Sequence, residues 1–139
     1  MNPFNRNAAL WIVIVLLLAL LYSIGAHGIM TLNDFKSVEG DTQMGVASLP
    51  VQLGVDRAAR FACLVMALPQ LVVIALLVMW DRPFHALGVV GLLIVQFGLM
   101  RRLLRDPKGQ AAFYNATGTT LYVLGMLVSA FAVRTLTGG

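Results

Sequence analysis

The chain contains four stretches without a formal charge, at residues 7–33, 61–80, 83–100 and 109–133. Each approaches or exceeds the run of about 20 residues that a helix needs to cross a bilayer. The first is most densely apolar over 11–21. The second is interrupted by Pro69, which a membrane helix tolerates as a kink. The pattern predicts spanning helices close to 9–32, 58–80, 83–104 and 112–134, and no strand, because an open sheet edge cannot lie in lipid. The expected fold is therefore all-α, a polytopic membrane bundle of about four transmembrane helices. Asp81, Arg82 and Pro83 mark a tight turn between the second and third spans. A longer polar and mixed segment joins the first and second, and that is where chemistry fits.

Composition strengthens this reading. Hydrophobic residues make up 59% of the chain and charged residues 12%, with a mean hydropathy of +0.84. A soluble domain carries about a quarter of its residues as charges. The net charge of +4 does not point to nucleic acid, because no basic run is interleaved with aromatics. Membrane topology explains the basic excess better. Cys63, the lone cysteine, lies in an apolar run and reads as packing. The start, MNPFNR followed by an apolar run, has only a weak basic region, and polar residues continue beyond it in helical phase; a retained anchor is expected rather than a cleaved signal. Lys36, Arg57, Arg60, Arg101, Arg102, Arg105 and Lys108 collect at one end of the spans, and Arg6, Arg82 and Arg134 at the other. The bias puts the long loop in the cytoplasm and both termini outside.

The residues with chemical promise lie in YSIGAHGIMTLNDFKSVEGDTQMGVASLP, residues 22–50. If the first helix continued through it, His27, Asp34 and Asp41 would fall within about 40° of one another, with Ser37 beside them. Glu39 would point elsewhere, and Gly40 would permit close backbone approach. Carboxylates near lipid are costly unless they face a cavity, a cation or each other. Two of them without cysteine suit a hard cation such as Mg²⁺, which completes its shell with phosphate oxygens and water. Lys36, Arg57 and Arg60 are near enough in sequence to neutralise a diphosphate. The alternative is that Asp34 and Asp41 cap helix ends or solubilise the loop. Asp56 reads as a helix start. His27 and His85 are the imidazoles available as ligands, although packing is the simpler role for each.

The segment NDFKSVEGDTQMGVASLPVQLGV resembles the second Asp-rich motif of the UbiA superfamily of intramembrane prenyltransferases. Asp34, Glu39, Gly40, Asp41, Gly45, Ser48, Leu49 and Pro50 match that motif. Asn33 stands where the superfamily has a basic residue and Ser37 where it has an aspartate, as in the chlorophyll and bacteriochlorophyll synthase branch. The resemblance continues through DRAARFACLVMALPQLVVIALLVMW, RRLLRDP and YNATGTTLYVLGMLVSAF. It implies transfer of a geranylgeranyl or phytyl group from its diphosphate to the propionate of bacteriochlorophyllide. It also implies Mg²⁺ at Asp34 and Asp41, diphosphate contacts from Lys36, Arg57 and Arg60, and supporting roles for Asn33, Glu39, Gly40, Gly45 and Ser48. The expected location is the bacterial inner membrane.

Residues 22–139 correspond to the C-terminal half of such a domain. Residues 1–21 look more like the N-terminal anchor of a membrane-bound AAA protease, which implies a junction near Leu21. The family's first Asp-rich motif is not among these residues. The expectation is a chain inactive alone, completed by an N-terminal half. Other readings are a non-catalytic membrane subunit, a pigment-associated scaffold, or a small carrier using His27, Asp34 and Asp41.

Overall fold

A computed structural model describes residues 2–136, apart from the side chain of Phe4. Among the described residues the chain forms six helices and no strand. They are α1 (Pro3–Asp34), α2 (Val38–Met44), α3 (Leu49–Leu53), α4 (Val55–Met79), α5 (Pro83–Arg105) and α6 (Pro107–Leu136). Four of these, α1, α4, α5 and α6, are long and apolar enough to span a membrane. All four predicted spans are therefore present. No helix boundary falls near Leu21; α1 runs unbroken through it.

The long helices run up and down, so the end of α1, the start of α4, the end of α5 and the start of α6 share one side of the bundle. α1 packs on α4 and α6, and α5 closes the ring against the same two helices. The turns follow from local chemistry. Asp106 accepts a hydrogen bond from Gly109 N–H at 3.1 Å, and Pro107 begins α6. That combination of an acidic cap with proline in the first helical position starts a helix cleanly. At the other side, Pro83 starts α5, and Arg82 donates to the Thr135 carbonyl at 3.1 Å, tying the α4–α5 turn to the end of α6.

The interior holds polar side chains as well as apolar ones, and most of their capacity is used. Gln70 on α4 donates to Gln96 on α5 at 2.8 Å, and Gln96 donates to the Tyr114 hydroxyl on α6 at 3.0 Å. All three residues are buried. Polar links between helices matter in lipid because no water competes for them. Gln70 Oε1 has no partner among the described residues and lies towards Gly125.

α1 joins the bundle through one stripe. Leu18, Tyr22, Gly25, Gly28 and Leu32 are buried, whereas no described residue before Leu18 is. A Cβ on Gly28 would lie 2.7 Å from Met66 Cγ and 2.8 Å from the Ala62 carbonyl oxygen of α4. A Cβ on Gly25 would collide with the Tyr122 hydroxyl, which donates to the Tyr22 carbonyl at 2.7 Å. Tyr22 is further tied to Ser129 of α6 at 2.8 Å. Small residues and short hydrogen bonds are how helices approach closely in lipid. Above this clamp α1 departs from α6 and leaves an apolar recess of about 1550 Å³, lined by residues including Trp11, Leu18, Ile29, Tyr122 and Met126.

The clamp gives a direct test. Ala62 contributes a backbone oxygen, which cannot rotate away from an added side chain. Gly28→Leu is expected to destabilise the bundle by about 1–3 kcal/mol, the usual cost of overpacking. Gly91, where an added Cβ meets nothing within 4 Å, is the control: Gly91→Ala is expected to stay within about 0.5 kcal/mol of the parent. Thermal unfolding in detergent, followed by tryptophan fluorescence, measures both.

Candidate functional site

The first helix does not continue through Asp41, so the shared face that such a continuation would give His27, Asp34 and Asp41 is not formed. α1 ends at Asp34, and Phe35–Ser37 form a turn before α2 restarts at Val38. The Phe35 and Ser37 N–H groups donate to the carbonyls of Leu32 and Asp34 at 3.4 and 3.1 Å. These i→i−3 bonds tighten the last turn of a helix. The Phe35 side chain is buried and extends the α1 stripe of Gly28, Thr31 and Leu32, while Lys36 beside it is exposed. His27 and Asp34 still share a face of α1, but Asp41 reaches the site by another route.

That route is Ser37. Its hydroxyl lies 3.1 Å from the Asp34 carbonyl oxygen and 3.1 Å from Asp41 Oδ2. The Asp41 N–H also donates to the Ser37 carbonyl at 2.7 Å. One serine therefore holds the Asp41 carboxylate against the end of α1. Where the superfamily pattern has an aspartate, this chain has a neutral residue that organises one.

Asp34 sits half-buried as the last residue of α1. The C-terminal end of a helix carries partial negative charge, so a carboxylate there is held against the field. A bound cation relieves that repulsion. Asp41 lies in the first turn of α2, where the field favours it. Two carboxylates of hard oxygen chemistry fit Mg²⁺. Among the described residues no three His, Cys, Asp or Glu side chains gather as a metal site. Asp34 and Asp41 thus offer two carboxylates rather than a closed cage.

The other predicted residues fall around this pair unevenly. Glu39 is exposed and lies 3.9 Å from Lys108, a pair too solvated to count for much in stability. An added Cβ on Gly40 meets nothing within 4 Å, so the close backbone approach expected there is absent among the described residues. Gly45 ends α2 with φ +71, donating its N–H to the Asp41 and Thr42 carbonyls, the left-handed cap that glycine supplies at low cost. Ser48 precedes α3, and its buried hydroxyl has no partner among the described residues. Arg57 and Arg60 are exposed in the first turns of α4, and neither pairs with Asp34 or Asp41 among the described residues. His27 is exposed and His85 half-buried.

One connection was not expected from sequence. Asn115 on α6 donates through Nδ2 to Asn33 Oδ1 at 2.7 Å, and Thr119 donates to Asn115 Oδ1 at 3.2 Å. A small pocket of about 280 Å³ adjoins it, lined by Asn33, Lys36, Lys108 and Asn115 among others. The available signal was the polar stretch NATGTT within a membrane-length helix, with Asn115 and Thr119 one turn apart, since polar groups at membrane depth need partners. Nothing local pairs Asn115 with a residue 82 positions away.

Residues 4–128 match the UbiA prenyltransferase family, a range that includes most of the first 21 residues. The chain is 60% identical over 122 residues to the bacteriochlorophyll synthase 33 kDa chain of Cereibacter sphaeroides, covering 88% of this chain and 40% of that one. It is 50% identical to the bacteriochlorophyll synthase 34 kDa chain of Chloroflexus aurantiacus, covering 84% of this chain and 37% of the relative. Against the chloroplastic chlorophyll synthase of Arabidopsis thaliana, identity is 40%, with coverage of 85% and 31%. The chain thus spans about two fifths or less of the length of these relatives. No solved structure matches. A match over so much of the chain, on a bundle of four membrane-length helices, has one reading: the chain belongs to the UbiA prenyltransferase family.

Proposed function

We propose that these residues form the C-terminal part of a bacteriochlorophyll synthase, contributing one of two carboxylate clusters that grip a prenyl diphosphate. The observation that carries this reading is the position of the motif along α1. Asp34 lies five residues beyond Ile29, where the lining of the apolar recess ends, or about 7.5 Å along the helix axis. An anionic headgroup at the carboxylates and a long apolar chain along α1 are the two halves of a prenyl diphosphate.

Asp34 and Asp41 would hold Mg²⁺ there, with Ser37 fixing the Asp41 carboxylate. The metal, when bound, supplies positive charge to the diphosphate oxygens as the leaving group departs. Lys36, Arg57 and Arg60 are exposed at the same end and neutralise further charge on the diphosphate. The bond between the allylic carbon and the diphosphate oxygen breaks. A propionate oxygen of bacteriochlorophyllide takes its place, giving the ester and free diphosphate. The excess of basic residues at this end supports a cytoplasmic position for it in a bacterial cell. Two carboxylates do not cage a diphosphate, so turnover needs the family's other Asp-rich helices, supplied by an N-terminal half. Catalysis depends on fixed geometry rather than on binding alone.

Three outcomes follow. Reporter fusions are expected to place Gly54 and Pro107 in the cytoplasm and Pro83 outside; the reverse pattern defeats the orientation. Purified chain with Mg²⁺, geranylgeranyl diphosphate and bacteriochlorophyllide is expected to give esterified pigment only when an N-terminal half bearing the other motif is added. Product from the chain alone would refute the need for that half. In the completed enzyme, Asp34→Asn or Asp41→Asn is expected to lower turnover by at least about a hundredfold, on the scale of losing a main electrostatic contact. Glu39→Gln is expected to have a much smaller effect, since Glu39 faces Lys108. Parent-like activity of Asp41→Asn would remove the metal role.

A further inference from the structure

Asn33, Asn115 and Thr119 form a line of hydrogen bonds with a direction. Thr119 donates its hydroxyl to Asn115 Oδ1, which leaves Asn115 Nδ2 to donate to Asn33 Oδ1. With its oxygen taken, Asn33 has its own Nδ2 group without an acceptor among the described residues. An amide carries a carbonyl acceptor and an NH₂ donor, so fixing one end determines which end faces away. Asn33 is exposed, immediately precedes Asp34, and lies on the rim of the pocket that Lys36 and Lys108 also line. Lys36 and Lys108 supply positive charge beside the carboxylates of Asp34 and Glu39, and the unpaired group is a donor. A lysine cation and a donor N–H both suit a phosphoryl oxygen.

We propose that Asn115 and Thr119 are positioning residues that hold the Asn33 amide with its NH₂ group turned towards the diphosphate gripped at Asp34 and Asp41. The inference rests on the function proposed above. Asn33 makes a neutral hydrogen bond to an oxygen of the anion, and α6 sets its orientation from the far side of the site. The fold thereby couples α6, which contributes no carboxylate, to recognition at the end of α1. Substituting Asn115 by Asp tests the direction of the line. A carboxylate at 115 only accepts, so the Asn33 amide turns its NH₂ towards α6 and presents its oxygen to the diphosphate. Size at 115 is kept, but a negative charge is added along with the loss of the donor facing the ligand; Thr119→Val, which adds no charge, separates the orientation of the line from simple repulsion.

The experiment is titration of the 139-residue chain in detergent with inorganic diphosphate and Mg²⁺ by calorimetry, alongside thermal unfolding of each variant. Asn115→Asp and Thr119→Val are expected to weaken diphosphate binding by about tenfold, the scale of one hydrogen bond to a charged group. Their unfolding midpoints are expected to stay near the parent's. Thr119→Ser, which restores the hydroxyl, is expected to recover the binding that Thr119→Val loses. Asp34→Asn and Asp41→Asn serve as the reference for the site itself. If those two abolish binding while Asn115→Asp and Thr119→Val bind as the parent does, the positioning role is refuted and the metal site stands. Lower unfolding midpoints with unchanged affinity also refute it, leaving a structural tie. A parent chain that binds no diphosphate, or binds it equally with both aspartates replaced, overturns the site and this inference together.

Discussion

The close approach of α1 to α4 and α6 is the constraint on which the rest depends. In a bilayer, apolar surface gains little by leaving lipid for another helix, so association rests on close packing and matched polar groups. α1 meets that demand with Gly28 against the Ala62 carbonyl and with Gly25 beneath the Tyr122 hydroxyl. Because the clamp lies in the second half of the helix, the end carrying Asp34 is fixed against the bundle. The first half is free of it. The same clamp therefore positions the carboxylates and opens the apolar recess beside α1.

The bundle interior and the site use polar groups differently. Gln70, Gln96 and Tyr114 spend their hydrogen bonds on one another and join three helices. Around Asp34 polar capacity is left over: the Asn33 NH₂ group and the Lys36, Arg57 and Arg60 cations have no partner among the described residues. Buried groups that pair with one another hold the helices together, whereas the exposed groups at the Asp34 end keep their hydrogen-bonding capacity open to solvent.

The spans were legible because a charge-free run of bilayer length has few alternatives. Their ends were less so. α6 begins at Pro107 rather than near 112, since Asp106 caps it and Pro107 opens it before the apolar run starts. α2 and α3, of seven and five residues, are too short to display a period. The motif brought Asp34 and Asp41 to attention together, but the helical phase used to join them was mistaken. No glycine or proline announces the break at 35–37; it shows only in the backbone bonds of Phe35 and Ser37 to carbonyls three residues back. The Asn33–Asn115 bond was out of reach of any local pattern, because it spans 82 residues.

The recess along α1 is bounded by α1 and α6 and lies within the span of both, so its open side meets acyl chains rather than water. A long-chain diphosphate reaching it has already partitioned into the membrane, a transfer worth about 0.8 kcal/mol for each buried CH₂. The protein then gains little from the tail and must discriminate by the headgroup. Occupancy follows the number of ligand molecules per lipid, and diluting the protein with more lipid would empty the site even at constant bulk concentration. On the proposed function, the carboxylate end would be the selective part of the site, and the apolar length beside it a berth continuous with the solvent in which the ligand already moves.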